Sequence, residues 1–145
     1  MQFKDTVKSK KYHLMLIIGR PRSGKSKFLH NYSDQNGIPV INLDDILGKK
    51  IPEGKTNQYV YGFLDGFLKT YKFDEILIDK KNIIYDKSSN IDLLKFFEIL
   101  AKDKTVITTW TGYTKDGKLY HLNKNQEVDY EYDLSDLDFS YMELL

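Results

Sequence analysis

The stretch that decides the fold is Leu14-Met-Leu-Ile-Ile-Gly19-Arg-Pro-Arg-Ser-Gly24-Lys25-Ser26, near the start of the 145-residue chain. Its first five residues form a short apolar run, which is typical of a strand buried on both faces. The glycines and the proline after this run predict a turn. Lys25 to Tyr32 then has the pattern of a helix, with Phe28 and Leu29 facing inward. The sequence therefore predicts a strand, a glycine-rich turn and a helix in succession.

The turn matches the pattern G-x-x-x-x-G-K-[ST], the phosphate-binding P-loop or Walker A motif. Because backbone N–H groups and a helix N-terminus can face phosphate oxygens there, the pattern predicts an ATP site. Lys25 is expected to contact the β and γ phosphates as a catalytic residue, and Ser26 to ligate Mg²⁺. The alternative is a plain turn capped by Ser23, with an exposed lysine. The predicted nucleotide-binding residues are Gly19, Arg20, Pro21, Arg22, Ser23, Gly24, Lys25, Ser26 and Lys27.

Asp79 is the candidate for a second, acidic metal ligand. It ends the apolar run Glu75-Ile-Leu-Ile-Asp79, which predicts a buried strand beside the P-loop strand and an acid that holds Mg²⁺ in the Walker B arrangement. Lys80 and Lys81 follow, where many P-loop ATPases have a glutamate that activates water. A general base is therefore missing from its usual place. A simple turn-capping aspartate is the alternative.

Thr109 is the third candidate catalytic residue, near the end of the predicted strand Lys104 to Trp110. Additional-strand P-loop ATPases have a polar residue there that senses the γ phosphate or positions water. Threonine is also simply a good strand residue, so the two interpretations stay open. Asn82 and Asp86 are close enough in sequence to Asp79 to assist it, or they lie on a loop surface.

The remaining sequence alternates short strands with helices. The further predicted strands are Ile38 to Leu43, Phe73 to Asp79 and Val128 to Leu134. Asp44 to Lys55 is a predicted loop that includes one helical turn at Asp45 to Leu47. The predicted helices are Asn57 to Tyr71 and one that Ser89 or Asn90 caps and that runs through Leu93, Leu94, Phe97 and Leu100. Lys115-Asp-Gly-Lys118 predicts a hairpin turn. We expect one α/β domain over residues 1–145, a P-loop NTPase of AAA-like, additional-strand type. Its mostly parallel sheet would be flanked by helices and would carry a β-rich C-terminal hairpin addition.

Composition excludes several classes of protein. The chain has no cysteine, which excludes a disulfide scaffold, a thiolate zinc site and a cysteine nucleophile. Its longest apolar run, Leu14 to Ile18, is too short to cross a bilayer, so we expect a cytoplasmic protein without membrane contact.

Arg20 and Arg22 are its only arginines, so no distant arginine can form a lid or finger over the phosphates. A small-molecule kinase is therefore disfavoured, since lysine replaces a bidentate arginine poorly.

Charge is distributed unevenly along the chain. Residues 1–72 hold 11 Lys and 2 Arg against 6 acids, a net +7, and residues 73–145 hold 9 Lys against 15 acids, a net −6. Seven acids and no base lie from Glu127 onward. A DNA-binding surface, if there is one, would thus lie in the N-terminal half. Trp110 and Tyr113, in the other half, are candidates either for base stacking or for packing in the core. The opposite charges also favour a head-to-tail homo-oligomer.

The chain resembles the BrxF family, the small P-loop proteins of type III BREX bacteriophage-exclusion systems. The resemblance covers nearly the whole length: the P-loop, the strand ending in Asp79, and the segments Thr108-Thr-Trp-Thr-Gly112 and Gly117-Lys-Leu-Tyr120 before an acidic C-terminal segment. It implies ATP binding by an AAA-like core, self-assembly and a role in antiviral defence alongside other BREX proteins. We therefore expect an Mg·ATP-binding protein with slow or partner-stimulated hydrolysis. The alternatives are a non-hydrolysing, ATP-dependent interaction module and, more weakly, a small-molecule kinase.

Overall fold

A computed structural model describes residues 13–47 and 51–144 of the protein. Strands and helices alternate along the first hundred residues, and strands dominate the rest. The strands are β1 (Leu14–Gly19), β2 (Val40–Asn42), β3 (Glu75–Asp79), β4 (Thr105–Lys115), β5 (Lys118–Leu122), β6 (Val128–Asp133) and β7 (Ser140–Glu143). The helices are α1 (Lys25–Asn36), α2 (Leu43–Leu47), α3 (Thr56–Thr70), α4 (Asn82–Tyr85) and α5 (Leu93–Leu100), with 3-10 turns at Lys87–Ser89 and Leu134–Asp136.

Five parallel strands form the central sheet in the order β2-β3-β4-β1-β7. β1 is a central strand that pairs with β4 on one side and β7 on the other, and all six of its residues are buried. This explains its continuous apolar run. The expectation that β3 lies directly beside β1 is wrong, because β4 lies between them. β4 has buried residues on both faces and therefore also requires a central position.

Helices cover both faces of this sheet. On one face, α1 packs Leu29 against a cluster that includes Ile17 and Ile107. On the other face, α3 and α5 contribute to a larger cluster, which includes Leu64 and Phe96. The structure thus confirms a mixed α/β protein whose mostly parallel central sheet is flanked by helices. Within the described ranges, no helix is long and apolar enough to span a membrane.

The C-terminal part adds an antiparallel extension to the sheet. β4 continues past the central sheet, and Asp116 and Gly117, with φ angles of 52° and 79°, turn the chain into β5, which pairs with β6. The predicted hairpin is therefore confirmed, with a fourth strand longer than predicted. The acidic segment is not a free tail, since it contains β6 and also β7, a four-residue strand that the sequence analysis missed.

One local prediction differs from the structure. α5 is capped by Asp92, whose side chain accepts a hydrogen bond from the Lys95 N–H, and not by Ser89 or Asn90. Asn90 instead ends the preceding 3-10 turn in a left-handed conformation, with φ at 53°. Within the predicted loop at Asp44 to Lys55, the helical turn expected at Asp45 to Leu47 is confirmed as part of helix α2, and positions 48–50 lie outside the described residues.

Gly112, where β4 pairs with β5, has no room for a side chain. A Cβ atom built there would lie 1.8 Å from the Tyr120 carbonyl oxygen and 3.0 Å from the Trp110 Nε1. We expect Gly112→Ala to lower the free energy of unfolding by about 1–3 kcal/mol, because backbone has to move. The matched control is Gly62→Ala on the exposed side of α3, where nothing lies within 4 Å and a gain of about 0.5–1 kcal/mol is expected. Urea unfolding measures both, and equal stability of the two variants would contradict the pairing.

Candidate functional site

A cleft lies beyond the carboxyl ends of β1, β3 and β4. Its volume is about 1000 Å³, and its lining runs from Arg22 and Lys25 through Asp79 and Lys81 to the turn that joins β5 and β6. Open parallel sheets bind ligands at this edge, in the crevice outside the strand ends. The cleft therefore brings the predicted site residues together with residues of the antiparallel extension.

The turn between β1 and α1 depends on its glycines. Gly24 has a φ of 96°, in the left-handed region, directly before the first residue of α1. A Cβ atom on Gly19 would lie 2.1 Å from the Ser23 Oγ and 3.1 Å from the Lys25 Cγ, so the loop can fold over only a glycine. Because Gly24 has no side chain to cap α1, the first N–H groups of this helix remain available to an anion.

Lys25 is buried at the start of α1, with only 8% of its surface exposed. Its Nζ donates a hydrogen bond of 2.8 Å to the Arg20 carbonyl oxygen. Burial lowers the pKa of Lys25, and the nearby Asp79 carboxylate opposes this shift. The structure therefore does not support the alternative of a turn with an exposed lysine.

Asp79 is the last residue of β3, and only one of its two carboxylate oxygens has hydrogen-bond partners among the described residues. Its Oδ1 accepts hydrogen bonds of 3.0 Å from the Thr109 hydroxyl and 3.0 Å from the Lys80 N–H. Its Oδ2 is buried and has no hydrogen-bond partner among the described residues, and the His30 Nε2 lies 3.9 Å away. Burial raises the pKa of Asp79, but the Ser26 hydroxyl, the two hydrogen bonds and the Lys81 charge outweigh it and lower the pKa. Asp79 is thus a carboxylate with one unsatisfied oxygen.

This arrangement fits a magnesium ion held partly by phosphate. The unsatisfied Asp79 oxygen is a suitable ligand, and Ser26 lies beside it. Among the described residues, no group of three or more His, Asp or Glu side chains could hold a metal without other ligands. Mg²⁺ commonly binds through one or two protein oxygens plus water and substrate phosphates. The residues present therefore suit an ion that arrives with a nucleotide.

Thr109 connects Asp79 to Lys81, a residue whose position the sequence analysis did not foresee. The Lys81 Nζ donates to the Thr109 carbonyl oxygen and, at 3.1 Å, to its hydroxyl, which in turn donates to Asp79. Only 4% of Lys81 is exposed. Burial lowers its pKa to about 7, opposed by Asp79 and Asp44 and reinforced by Lys25. A second lysine, with a pKa near neutrality, thus lies beside the carboxylate, two positions after it in the sequence.

Asp44 holds the loop that carries Lys81. Its carboxylate accepts hydrogen bonds from the backbone N–H groups of Asn82 and Ile83, both at 2.9 Å, and from the Asn82 side chain at 3.1 Å. Asp86 instead accepts bonds from Ser88. Asn82 and Asp86 line the cleft, but their polar groups are engaged at these positions and not at Asp79.

The other predicted residues divide between the cleft and the surface. Pro21 and Arg22 line the cleft, whereas Lys27 is exposed on α1. The Arg20 guanidinium lies 4.3 Å from the centre of the Tyr113 ring. Trp110 is only 1% exposed and donates its Nε1–H to the Tyr120 carbonyl oxygen, so it is a core residue and cannot stack on a base.

The far end of the cleft holds residues that the sequence analysis missed. His121 on β5 and Asp129 on β6 form a close pair, with 2.6 Å between Nδ1 and Oδ1, and Tyr85 of α4 stacks on the histidine ring. They are distant in sequence from the P-loop and follow no spacing rule, so only the folding of the extension over the sheet edge could identify them.

A scan against protein-family models found no match, and neither the curated proteins nor the solved structures gave a significant one.

Lys81 makes the stability of the protein depend on pH. Its pKa is about 7 in the folded protein, against 10.5 for a lysine side chain fully exposed to water, so between these values the unfolded chain binds more protons. The contribution of Lys81 to the free energy of unfolding therefore rises with pH between about 7 and 10.5. Relative to Lys81→Met, we expect the parent to gain up to about 1.4 kcal/mol of unfolding free energy per pH unit between pH 7 and 10.

Urea unfolding at pH 7, 8, 9 and 10 measures this difference. Lys102→Met, at an exposed lysine, is the matched control, and its free energy of unfolding should change with pH as that of the parent does. If the free energy of unfolding of Lys81→Met also changes with pH as that of the parent does, the Lys81 side chain is not in a desolvated environment.

Proposed function

We propose that the protein is a P-loop protein that binds Mg·ATP in this cleft. The observation that carries the proposal is the juxtaposition of the buried Lys25 with the unsatisfied Oδ2 of Asp79 at one edge of the sheet. A bound Mg·triphosphate requires two charged groups from the protein. One is a lysine that can contact the phosphates, and the other is a carboxylate with a free oxygen for the metal. Ser26 and the Asp79 carboxylate would hold Mg²⁺, which would supply positive charge against the negative charge that develops on the phosphate during transfer.

The strand order is consistent with the additional-strand type of P-loop ATPase. β4 lies between the P-loop strand β1 and the strand β3 that ends in Asp79. Thr109 on this intervening strand donates to the Asp79 carboxylate, so it can orient that carboxylate toward the metal. We assign Thr109 a positioning role at this site.

We further propose that the isolated protein hydrolyses ATP slowly or needs a partner. Lys80 is exposed and donates its N–H to Asp79, while Lys81 is committed to Thr109, so neither supplies the carboxylate that usually activates water beside the Walker B acid. A non-hydrolysing, ATP-dependent interaction module is the second candidate, and the same substitution of acid by lysine favours it. Single-turnover hydrolysis distinguishes the two.

A role in phage defence, with other BREX proteins as partners, rests on the resemblance to the BrxF family alone. Self-assembly rests on that resemblance and on the charge difference between the two halves. Because the acidic residues after Glu127 lie largely on β6, the following 3-10 turn and β7, they would act as a folded surface. Solution mass at low and high salt, with and without Mg·ATP, tests this part of the proposal.

Lys25→Ala should weaken ATP binding by about 10–100-fold, the loss expected for one charge-assisted hydrogen bond. The fold should persist, because Lys25 donates only to the local turn. Calorimetric titration with Mg·ATP measures the affinity, and circular dichroism checks the fold. Lys102→Ala, at an exposed lysine, should bind as the parent does. An unchanged Lys25→Ala affinity would reject the P-loop assignment.

Asp79→Asn should remove the magnesium dependence of nucleotide binding more than the binding itself. The amide keeps an oxygen for Thr109 but loses the negative charge that attracts the metal. The measurement is the ratio of ATP affinities in Mg²⁺ and in EDTA, for the parent, for Asp79→Asn and for the exposed control Asp65→Asn. If the ratio is the same in all three, Asp79 is a structural residue and the metal binds elsewhere.

A further inference from the structure

The far half of the cleft has its own polar cluster, formed by His121, Asp129 and Tyr85. His121 is 4% exposed, and its Nδ1 lies 2.6 Å from the Asp129 Oδ1. Because a carboxylate can only accept, the hydrogen on the ring lies on Nδ1, and Nε2 carries a lone pair. Among the described residues Nε2 has no hydrogen-bond partner. All three residues line the cleft that also contains Lys25 and Asp79.

The histidine ring is held rigidly. Tyr85 stacks on it with 3.9 Å between the ring centres, and Trp110 packs its edge against it at 5.0 Å. β5 and β6 also change register between His121 and Leu122, and such bulges often re-aim a side chain next to an active site. A side chain that is fixed in orientation, with one nitrogen free, is suited to proton transfer.

A second observation points to a ligand at this end. The hydroxyl oxygen of Tyr85 is buried and has no hydrogen-bond partner in the described structure. An unsatisfied buried hydroxyl is costly, so a polar group supplied from outside the protein is the expected partner. The cleft volume of about 1000 Å³ is at the upper end of ordinary ligand pockets and leaves room beside a triphosphate.

We propose that His121, oriented by Asp129, is the general base of the cleft and takes the proton from the hydroxyl group that attacks the terminal phosphate of the bound nucleotide. The hydroxyl belongs to water or to an alcohol acceptor held near Tyr85. The inference rests on the proposed function, since the nucleotide occupies the P-loop end. It assigns the base that is missing after Asp79 to the antiparallel extension.

The step balances without a further reactant. The O–H bond of the attacking hydroxyl breaks and its proton moves to the His121 Nε2, while a new O–P bond forms at the terminal phosphorus. The bond from that phosphorus to the bridging oxygen breaks, and its electron pair leaves with ADP. The proton then passes from His121 to solvent or to the phosphate product. Lys25 lines the phosphate side of the cleft and would supply positive charge to the leaving ADP and the transferred phosphate.

The protonation state of His121 agrees with this role. Burial lowers its pKa, and the charges of Lys81 and Lys87 act in the same direction, while Asp129 raises it. Tyr85, Tyr130 and Trp110 complete its surroundings. The ring is therefore neutral near pH 7 and available as a base.

The test is single-turnover conversion of γ-labelled Mg·ATP by the full chain, run in parallel with calorimetric ATP titration. His121→Ala should convert ATP about 100-fold to 10,000-fold more slowly than the parent, with ATP affinity unchanged. Added imidazole should restore part of the rate, since the small base can enter the space left by the side chain. The control variant is His13→Gln, because His13 lies just before the amino end of β1, at the opposite end of this strand from the cleft. This variant should convert ATP at the parent rate.

Asp129→Asn is the second variant, because it keeps the shape of the pair if His121→Ala fails to fold. It should also slow conversion, since an amide can hold the ring in the wrong tautomer. The proposal is overturned by a parent-like rate in either folded variant, or by a slow His121→Ala whose rate imidazole does not raise. An absence of conversion by the parent, with ATP bound, overturns it as well, whereas an absence of ATP binding rejects the proposed function instead.

A parallel reaction in glycerol identifies the source of the hydroxyl. Label recovered as inorganic phosphate shows attack by water, and label recovered as glycerol phosphate shows attack by an alcohol. Either product supports the base when its formation depends on His121, and formation of both products independently of His121 overturns it.

Discussion

The burial of the Asp79 carboxylate constrains the carboxyl edge of the sheet. A carboxylate that is only 6% exposed is stable there only with positive charge and hydrogen bonds nearby, and Lys25, Lys81 and Thr109 supply them. The two lysines approach from different sides, one from the turn after β1 and one from the loop after β3. The side chains of Lys25 and Lys81 therefore both depend on the same carboxylate.

This constraint extends into the loops. Lys81 can reach Thr109 because Asp44 accepts the N–H groups of Asn82 and Ile83 and so holds the short helix α4. α4 in turn carries Tyr85, which stacks on His121. A series of contacts and short chain segments thus connects the metal-ligand candidate on β3 to the base candidate on β5.

The sequence predicted what local chemistry determines. The Gly19 to Ser26 turn, the strand ending in Asp79 and the Asp116-Gly117 hairpin each follow from the residue types in one short segment. The place of β4 between β1 and β3, and the pairing of β7 with β1, depend on contacts between distant segments, so spacing could not reveal them. Lys81 was visible only as the second of two lysines after Asp79, because its burial against Thr109 is a tertiary property.

β4 is the element on which both halves of the cleft depend. Thr109 lies where β4 still belongs to the parallel sheet and contacts Asp79 and Lys81. Three residues later Gly112 pairs with His121 in the antiparallel extension, so one continuous strand determines the distance between the proposed phosphate end of the cleft and the proposed base. A rigid strand holds two groups apart more reliably than a loop does. Under this proposal the extension is part of the site, and removing it would leave the proposed phosphate-binding edge without the group that we assign to proton transfer.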